Sequence, residues 1–358
     1  MRRPFGRCSR VSRGCDDLAP DATAAYRGDG ARCPQPSRAE PASRTIRSLT
    51  CSLVAGILGR VTHVTTGFSP SAFLPVLLHA CARAGLSGQG AELLGLGENA
   101  IYRLASAPVV VRIARSADRL GQMEKELCVA RWLADAGVPA VRVYEEAEQP
   151  LLVDGHPVSF WRAVTGGGPQ PTYTDLGRLI ACFHALERCP CKLAGFEPLR
   201  ASQSRLATSA GTDPSDRDFL CGRCADLTSE FQELEFAIPA GPIHGDAHPW
   251  NLLTDGGQVV LLGFGASAVG PREWDLLPTV IAVERYGLGE DQYQAFAKAY
   301  GFDVRGWPGY PVLREIRELT MTTWIMQSAG QSPAVAAEFA VRVSSLRERD
   351  FKRAWNFF

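Results

Sequence analysis

The chain has 358 residues, 46% of them hydrophobic, with 38 basic and 38 acidic side chains, which is the make-up of a globular protein large enough for two lobes. No run approaches the roughly 18 apolar residues of a membrane span, and zero formal charge argues against nucleic acid or an anionic membrane as the main partner. Residues 1–65 hold 11 Arg, no Lys and 5 acids, so the remainder is net negative by 6, a balance that suits a cationic partner.

Residues 1–65 read as a disordered extension, because the first 45 are rich in Arg, Pro, Ser, Gly and Ala without an apolar period. Arg2-Arg3 is not followed by the apolar core of an export signal, so a cytoplasmic location and reduced thiols are expected for the 11 Cys. A short helix is expected over 70–86, with Phe73, Leu74, Leu77, Leu78 and Cys81 on one face. Then comes a G-x-G-x-x-A turn, Gly95-Leu96-Gly97-Glu98-Asn99-Ala100, running into a strand. Such glycines let the backbone approach phosphate oxygens, although an ordinary glycine hairpin reads the same way.

Val109-Val110-Val111-Arg112-Ile113 is a strand with one cation, either aimed at a ligand or at solvent. The helix that follows, about 118–136, carries Leu120, Met123, Leu127, Ala130 and Ala134 as a stripe and stops at Gly137 and Pro139. Glu124 and Glu126 are the two acids on it that could pair with Arg112. Val141–Val143, Leu151–Val153 and Pro157–Trp161 read as strands, the last two joined by Asp154-Gly155 as a hairpin. A helix starts at Thr174 as N-cap and buries Leu176, Leu179, Ile180, Phe183 and Leu186. On it, His184 reads as a packed core histidine.

Cys189 and Cys191 with Cys221 and Cys224 form two close pairs, which could close a tetrahedral zinc site or be separate thiols beside a variable loop. Residues 195–240 read as loop and helices, and 284–358 as helical, with long segments at Val312–Gly330 and Pro333–Arg353. Arg347, Arg349, Lys352 and Arg353 read as a solvated face.

The chemistry is written in Ile243-His244-Gly245-Asp246-Ala247-His248-Pro249-Trp250-Asn251, followed by Leu262-Gly263-Phe264-Gly265. In phosphoryl transfer of the kinase type an Asp meets the attacking hydroxyl, an Asn five residues on holds Mg²⁺, and the Asp of a D-F-G turn holds the metals on the phosphates. Asp246 and Asn251 have that spacing, while Gly263 stands where the second Asp belongs. A competing reading takes His244, Asp246 and His248 as ligands of a hydrolytic metal.

From about Leu93 to Leu277 the chain resembles the aminoglycoside phosphotransferase family, on His244-Gly245-Asp246 with Asn251 and on Gly270-Pro271-Arg272-Glu273-Trp274-Asp275-Leu276. The resemblance implies an α+β, two-lobed protein-kinase-like fold, with a small N-terminal sheet lobe over 66–164 and a larger, mainly helical lobe over 165–358. It implies ATP or GTP with Mg²⁺ as cofactors and a small hydroxylated molecule as acceptor. Gly95, Gly97 and Asn99 would then cover the nucleotide phosphates, and Arg112 held by Glu126 would contact them. The backbone around Arg162 and Val164 would meet the adenine edge. Asp246 would be the catalytic base or hydroxyl-orienting group, His248 would sit near the transferring phosphate and His244 would buttress the loop. Asn251 would ligate the metal. Asp255, Glu273 and Asp275 are the nearest acids that could replace the missing carboxylate, Asp275 reading as structural. Gly263 leaves two functions open: an impaired small-molecule O-phosphotransferase, or a catalytically inactive pseudokinase that binds nucleotide or acts as a scaffold. The sequence sets no oligomeric state.

Overall fold

The computed structural model describes residues 70–357 other than 187 and 210. The expected extension over 1–65 and its arginine pair lie outside the described residues.

Helix α1 (Pro70–Arg83) buries Phe73, Val76, Leu77, Ala80 and Cys81 against a sheet of five antiparallel strands. These are β1 (Glu92–Leu96), β2 (Asn99–Arg103), β3 (Val109–Ala114), β4 (Leu151–Val153) and β5 (His156–Arg162), in the order β1-β2-β3-β5-β4. Along β3 the residues Val109, Val111 and Ile113 are buried while Val110 and Arg112 are half-buried. The period of two therefore sends Arg112 to the face opposite the α1 core, and α2 (Leu120–Asp135) brings the buried Glu126 to that face.

The expected strand over 141–143 is not formed. The backbone there is shared between two partners: the Val141 amide donates to Leu261 while the Arg142 carbonyl accepts from Arg162. Only isolated bridges result, Ala140 with Leu261 and Val143 with Trp161. Helix α3 (Tyr173–His184) is capped by Thr172, not Thr174. Thr172 Oγ1 accepts from the Asp175 amide and the Asp175 carboxylate accepts from the Thr172 amide, a reciprocal box that Thr174, with Gly177 three residues on, cannot make.

The helical remainder comprises α4 (Arg200–Thr208), α5 (Pro214–Gln232), α6 (Leu277–Tyr286), α7 (Glu290–Tyr300), α8 (Tyr310–Ala329) and α9 (Pro333–Glu348). Between α5 and α6 run β6 (Gly241–Ile243), the hairpin β7 (Leu252–Asp255) and β8 (Gln258–Leu261), and β9 (Ala268–Gly270), which pairs with β6. One core joins α2 to these helices through Leu127, Leu133, Ile180, Phe183, Phe264 and Leu319. Helix α9 ends at Glu348, short of the expected Arg353, because Arg349 takes φ +52°. The tail then returns, placing the buried Trp355 against Arg285 and Arg342. Arg285 and Glu318, both fully buried, form a two-pronged ion pair at 2.7 and 2.8 Å between α6 and α8.

Cys128 of α2 and Cys191 form a disulfide with Cα atoms 5.8 Å apart, against the expectation of reduced thiols throughout. With Cys191 so committed, the four-cysteine zinc set is not assembled. Cys189, Cys221 and Cys224 are free, Cys224 being buried and Cys221 exposed on α5. Among the described residues no helix is long and apolar enough to cross a membrane.

Candidate active site

Strand β6 delivers the loop that begins at His244, and β9 leads from the Gly263 turn to the short helical turn 272–276 behind that loop. From this turn the buried Asp275 accepts the amides of His244 (2.6 Å) and Gly245 (2.7 Å) and bonds His184 Nε2 (2.9 Å). Trp274 Nε1 donates to the Gly245 carbonyl at 3.0 Å. Gly245 has φ +84°, and a Cβ there would lie 2.2 Å from the Ala266 carbonyl oxygen, so the close approach of the two segments requires glycine.

His244 is fully buried, and burial pushes its imidazole below the ordinary value. The neutral ring fits its contacts: Nε2 faces the Leu262 carbonyl at 2.9 Å and Nδ1 the Asp246 amide at 3.3 Å. His244 therefore ties the Asp246 loop to the Gly263 turn and is not turned toward the cleft. His184, bonded to Asp275 and Tyr300, is the packed core histidine its sequence context implied.

The Asp246 carboxylate is gripped from several sides. His248 Nε2 lies 3.1 Å from Oδ2, and Arg317 Nη2, from α8, donates to Oδ1 at 3.0 Å. Asn251 Nδ2 donates to the Asp246 carbonyl at 2.7 Å and lies 3.4 Å from Oδ2. Burial alone would raise this carboxyl, but the hydrogen bond and charge of His248, followed by the charges of Arg317 and His244, outweigh it and hold the group well below the usual carboxylate range. Asp246 is thus an ionised, oriented carboxylate.

Across the cleft, Arg112 Nη1 pairs with Glu126 Oε2, whereas Glu124 is exposed. Arg112, Glu126 and Asn99 line one recess together with Glu98, Arg119 and Gln122. Gly95 lies in β1 at a register shift. The Gly97 amide donates to Asn99 O, and the Gly97 carbonyl accepts from Arg115. The Arg162 amide donates to Arg142 O and the Ala163 amide to Pro108 O, while the Arg162 guanidinium turns outward to Glu146 at 2.6 Å. The two halves of the site meet at the Gly263–Gly265 turn. Lys125 Nζ donates to the carbonyls of Gly265 (2.6 Å) and Ser267 (3.1 Å), and burial lowers its pKa.

A magnesium site of the kinase type requires Asn251 and a carboxylate at position 263. Gly263 has φ +86°, and a Cβ there would stand 2.5 Å from Asn251 Oδ1, so the Asn side chain fills the space of the missing group. The other nearby acids are committed elsewhere: Asp255 to Thr165, Glu273 to the Ile238 amide and Asp275 behind the loop. Among the described residues no group of three or more His, Cys, Asp or Glu is placed to hold a metal ion. The residues present do not fit that metal site, nor the hydrolytic one built on His244, Asp246 and His248.

Arg317 and Lys125 escaped the sequence reading. Neither belongs to a motif, and Arg317 lies 71 positions from Asp246.

No curated protein matches this chain. Among solved structures, the microcompartment-associated aminopropanol kinase superposes with a TM-score of 0.59 at 18% identity, covering 78% of this chain and 99% of that one. Amicoumacin kinase hAmiN in complex with AMP-PNP, Ca²⁺ and Ami gives 0.56 at 14%, with coverage of 74% and 90%. The GDP complex of wild-type aminoglycoside 2'-phosphotransferase-IIIa gives 0.55 at 16%, with coverage of 79% and 100%. At these identities the likeness is one of fold, the two-lobed protein-kinase-like fold. The model of the phosphotransferase enzyme family matches residues 91–316, a span holding the glycine turn, the Arg112–Glu126 pair, the Asp246 loop and its own departure at Gly263, and this chain belongs to that family.

Proposed function

We propose that the chain is a cytoplasmic, nucleotide-dependent O-phosphotransferase acting on a small hydroxylated molecule, with turnover impaired by Gly263. The observation that carries the reading is Asp246 held by His248 and Arg317 on the same chain that pairs Arg112 with Glu126. Two solved relatives in fold are described in complex with AMP-PNP and Ca²⁺ or with GDP, which supports ATP or GTP as the phosphoryl donor. The nucleotide would lie between residues 66–164 and 165–358. Gly95, Gly97 and Asn99 would meet its phosphates beside Arg112, and the backbone at Arg162 and Val164 its base.

In the transfer step the acceptor oxygen forms a bond to the γ-phosphorus as the bond from that phosphorus to its bridging oxygen breaks. The nucleoside diphosphate leaves with the electron pair, and the hydroxyl proton passes to solvent. Asp246 would act as the base or as the hydroxyl-orienting carboxylate, and orientation suffices where the transition state is loose. His248 would hydrogen-bond the transferring group. Trp250, 54% exposed, stands edge-on to His248 at 5.7 Å and near Phe357 at 5.5 Å, giving the acceptor an apolar wall. The test is release of ADP or GDP over a panel of hydroxylated acceptors: acceptor-dependent release supports the reading, and silence with every acceptor contradicts it.

The second reading, a pseudokinase that binds nucleotide without turnover, is favoured by one observation. Gly263 removes a charge contact whose loss costs about 3–4 kcal/mol in a transition state, or about 10²- to 10³-fold in rate.

A further inference from the structure

A divalent cation is retained by a surplus of negative ligand charge. In a kinase site the carboxylate of the D-F-G turn supplies that surplus beside the loop Asn, whereas here position 263 is Gly and the carboxylate left on the loop, Asp246, already carries Arg317. Oδ1 is taken by the Arg317 guanidinium and Oδ2 by His248. Arg317 is fixed in that place: its guanidinium stacks 5.1 Å over the Trp274 ring and its side chain is 15% exposed. Asn251 Oδ1, the ligand atom that remains, sits in the space of a residue-263 side chain. One carboxylate and one guanidinium sum to no net charge, so the set offers a cation little, while it no longer repels an anionic phosphate chain as a bare Asp246 would.

We propose that this chain binds its nucleotide without a divalent cation, Arg317 supplying at Asp246 the positive charge that a metal supplies where position 263 is a carboxylate. The inference rests on the nucleotide reading above and deepens it. Replacing Arg317 uncovers the Asp246 charge, so the variant should acquire the metal dependence that the native chain lacks.

The experiment titrates ATP and GTP into the full chain by calorimetry, once in EDTA and once in excess Mg²⁺. For the native chain the two affinities should agree within about threefold, and Arg317→Met should bind about tenfold or more weakly in EDTA yet recover with Mg²⁺. A merely structural role would instead weaken binding equally in both buffers, and that result overturns the proposal. So does a native chain whose binding tightens about tenfold or more with Mg²⁺, which leaves the nucleotide reading standing. Absence of binding in both buffers overturns the inference and the nucleotide reading together. Should Arg317→Met fail to fold, the native comparison decides alone.

Discussion

Arg317 on α8 donates to Oδ1 of Asp246 at 3.0 Å, so the carboxylate of the 244–251 loop is paired with a guanidinium from the helical lobe. Arg317 is 15% exposed but Asp246 41%, so solvent screens the pair and its contribution to folding is modest. Its consequence lies in the electrostatics of the cleft.

The two glycines of the site should respond differently to a methyl group. Gly245→Ala drives a Cβ to 2.2 Å from the Ala266 backbone, which cannot yield without moving β9, and should cost about 3 kcal/mol or more. Gly263→Ala meets the end of the Asn251 side chain, which can rotate away, leaving about 1–2 kcal/mol of left-handed backbone strain. Urea unfolding of the two variants checks the order.

Glu126→Gln should leave Arg112 half-buried without its counter-charge. The guanidinium is then free to rotate, and nucleotide affinity should fall about tenfold to a hundredfold. Titration with ATP and GTP measures it, and an unchanged affinity would separate the Arg112–Glu126 pair from the nucleotide.

His244 gives a pH dependence of defined sign. Burial lowers its folded pKa below the ordinary histidine value of about 6.5, so below that pH the unfolded chain binds a proton that the native one refuses. Stability is full above the unfolded value and is lost as pH falls, by up to about 1.4 kcal/mol per pH unit. Thermal unfolding at pH 7.5 and 5.5 should show this fall, and His244→Gln should show less of it.

Glu318→Ala strands Arg285, which is fully buried and stacked on Trp355 at 4.5 Å. Loss of one partner of such a pair should cost about 3–5 kcal/mol, visible as a lowered denaturant midpoint. Exposed pairs such as Arg200–Glu197, with side chains 80% and 61% exposed, should give little on the same measurement.

What the sequence showed was local. The period of two along Val109–Ile113, the helical stripe through Met123 and Leu127 and the spacing from Asp246 to Asn251 are short-range patterns, and each marks an element or loop seen in the structure. Glu126 separated from Glu124 because one faces Arg112 and the other solvent. The misreadings came where the outcome depended on distant chain. Val141–Val143 has its backbone partners divided between β5 and β8, and Arg317 meets Asp246 only through the packing of α8 behind Trp274. Thr172 was legible as a cap through Asp175 three residues on, a signal that Thr174 obscured.

The most direct test of the account follows the γ-phosphoryl group itself, by mass spectrometry of acceptors incubated with ATP or GTP and the native chain, and in parallel with Asp246→Ala. The account predicts slow formation of a phosphorylated acceptor by the native chain and a loss of about 10²-fold or more in the variant. Phosphorylated product formed equally well by Asp246→Ala would contradict it.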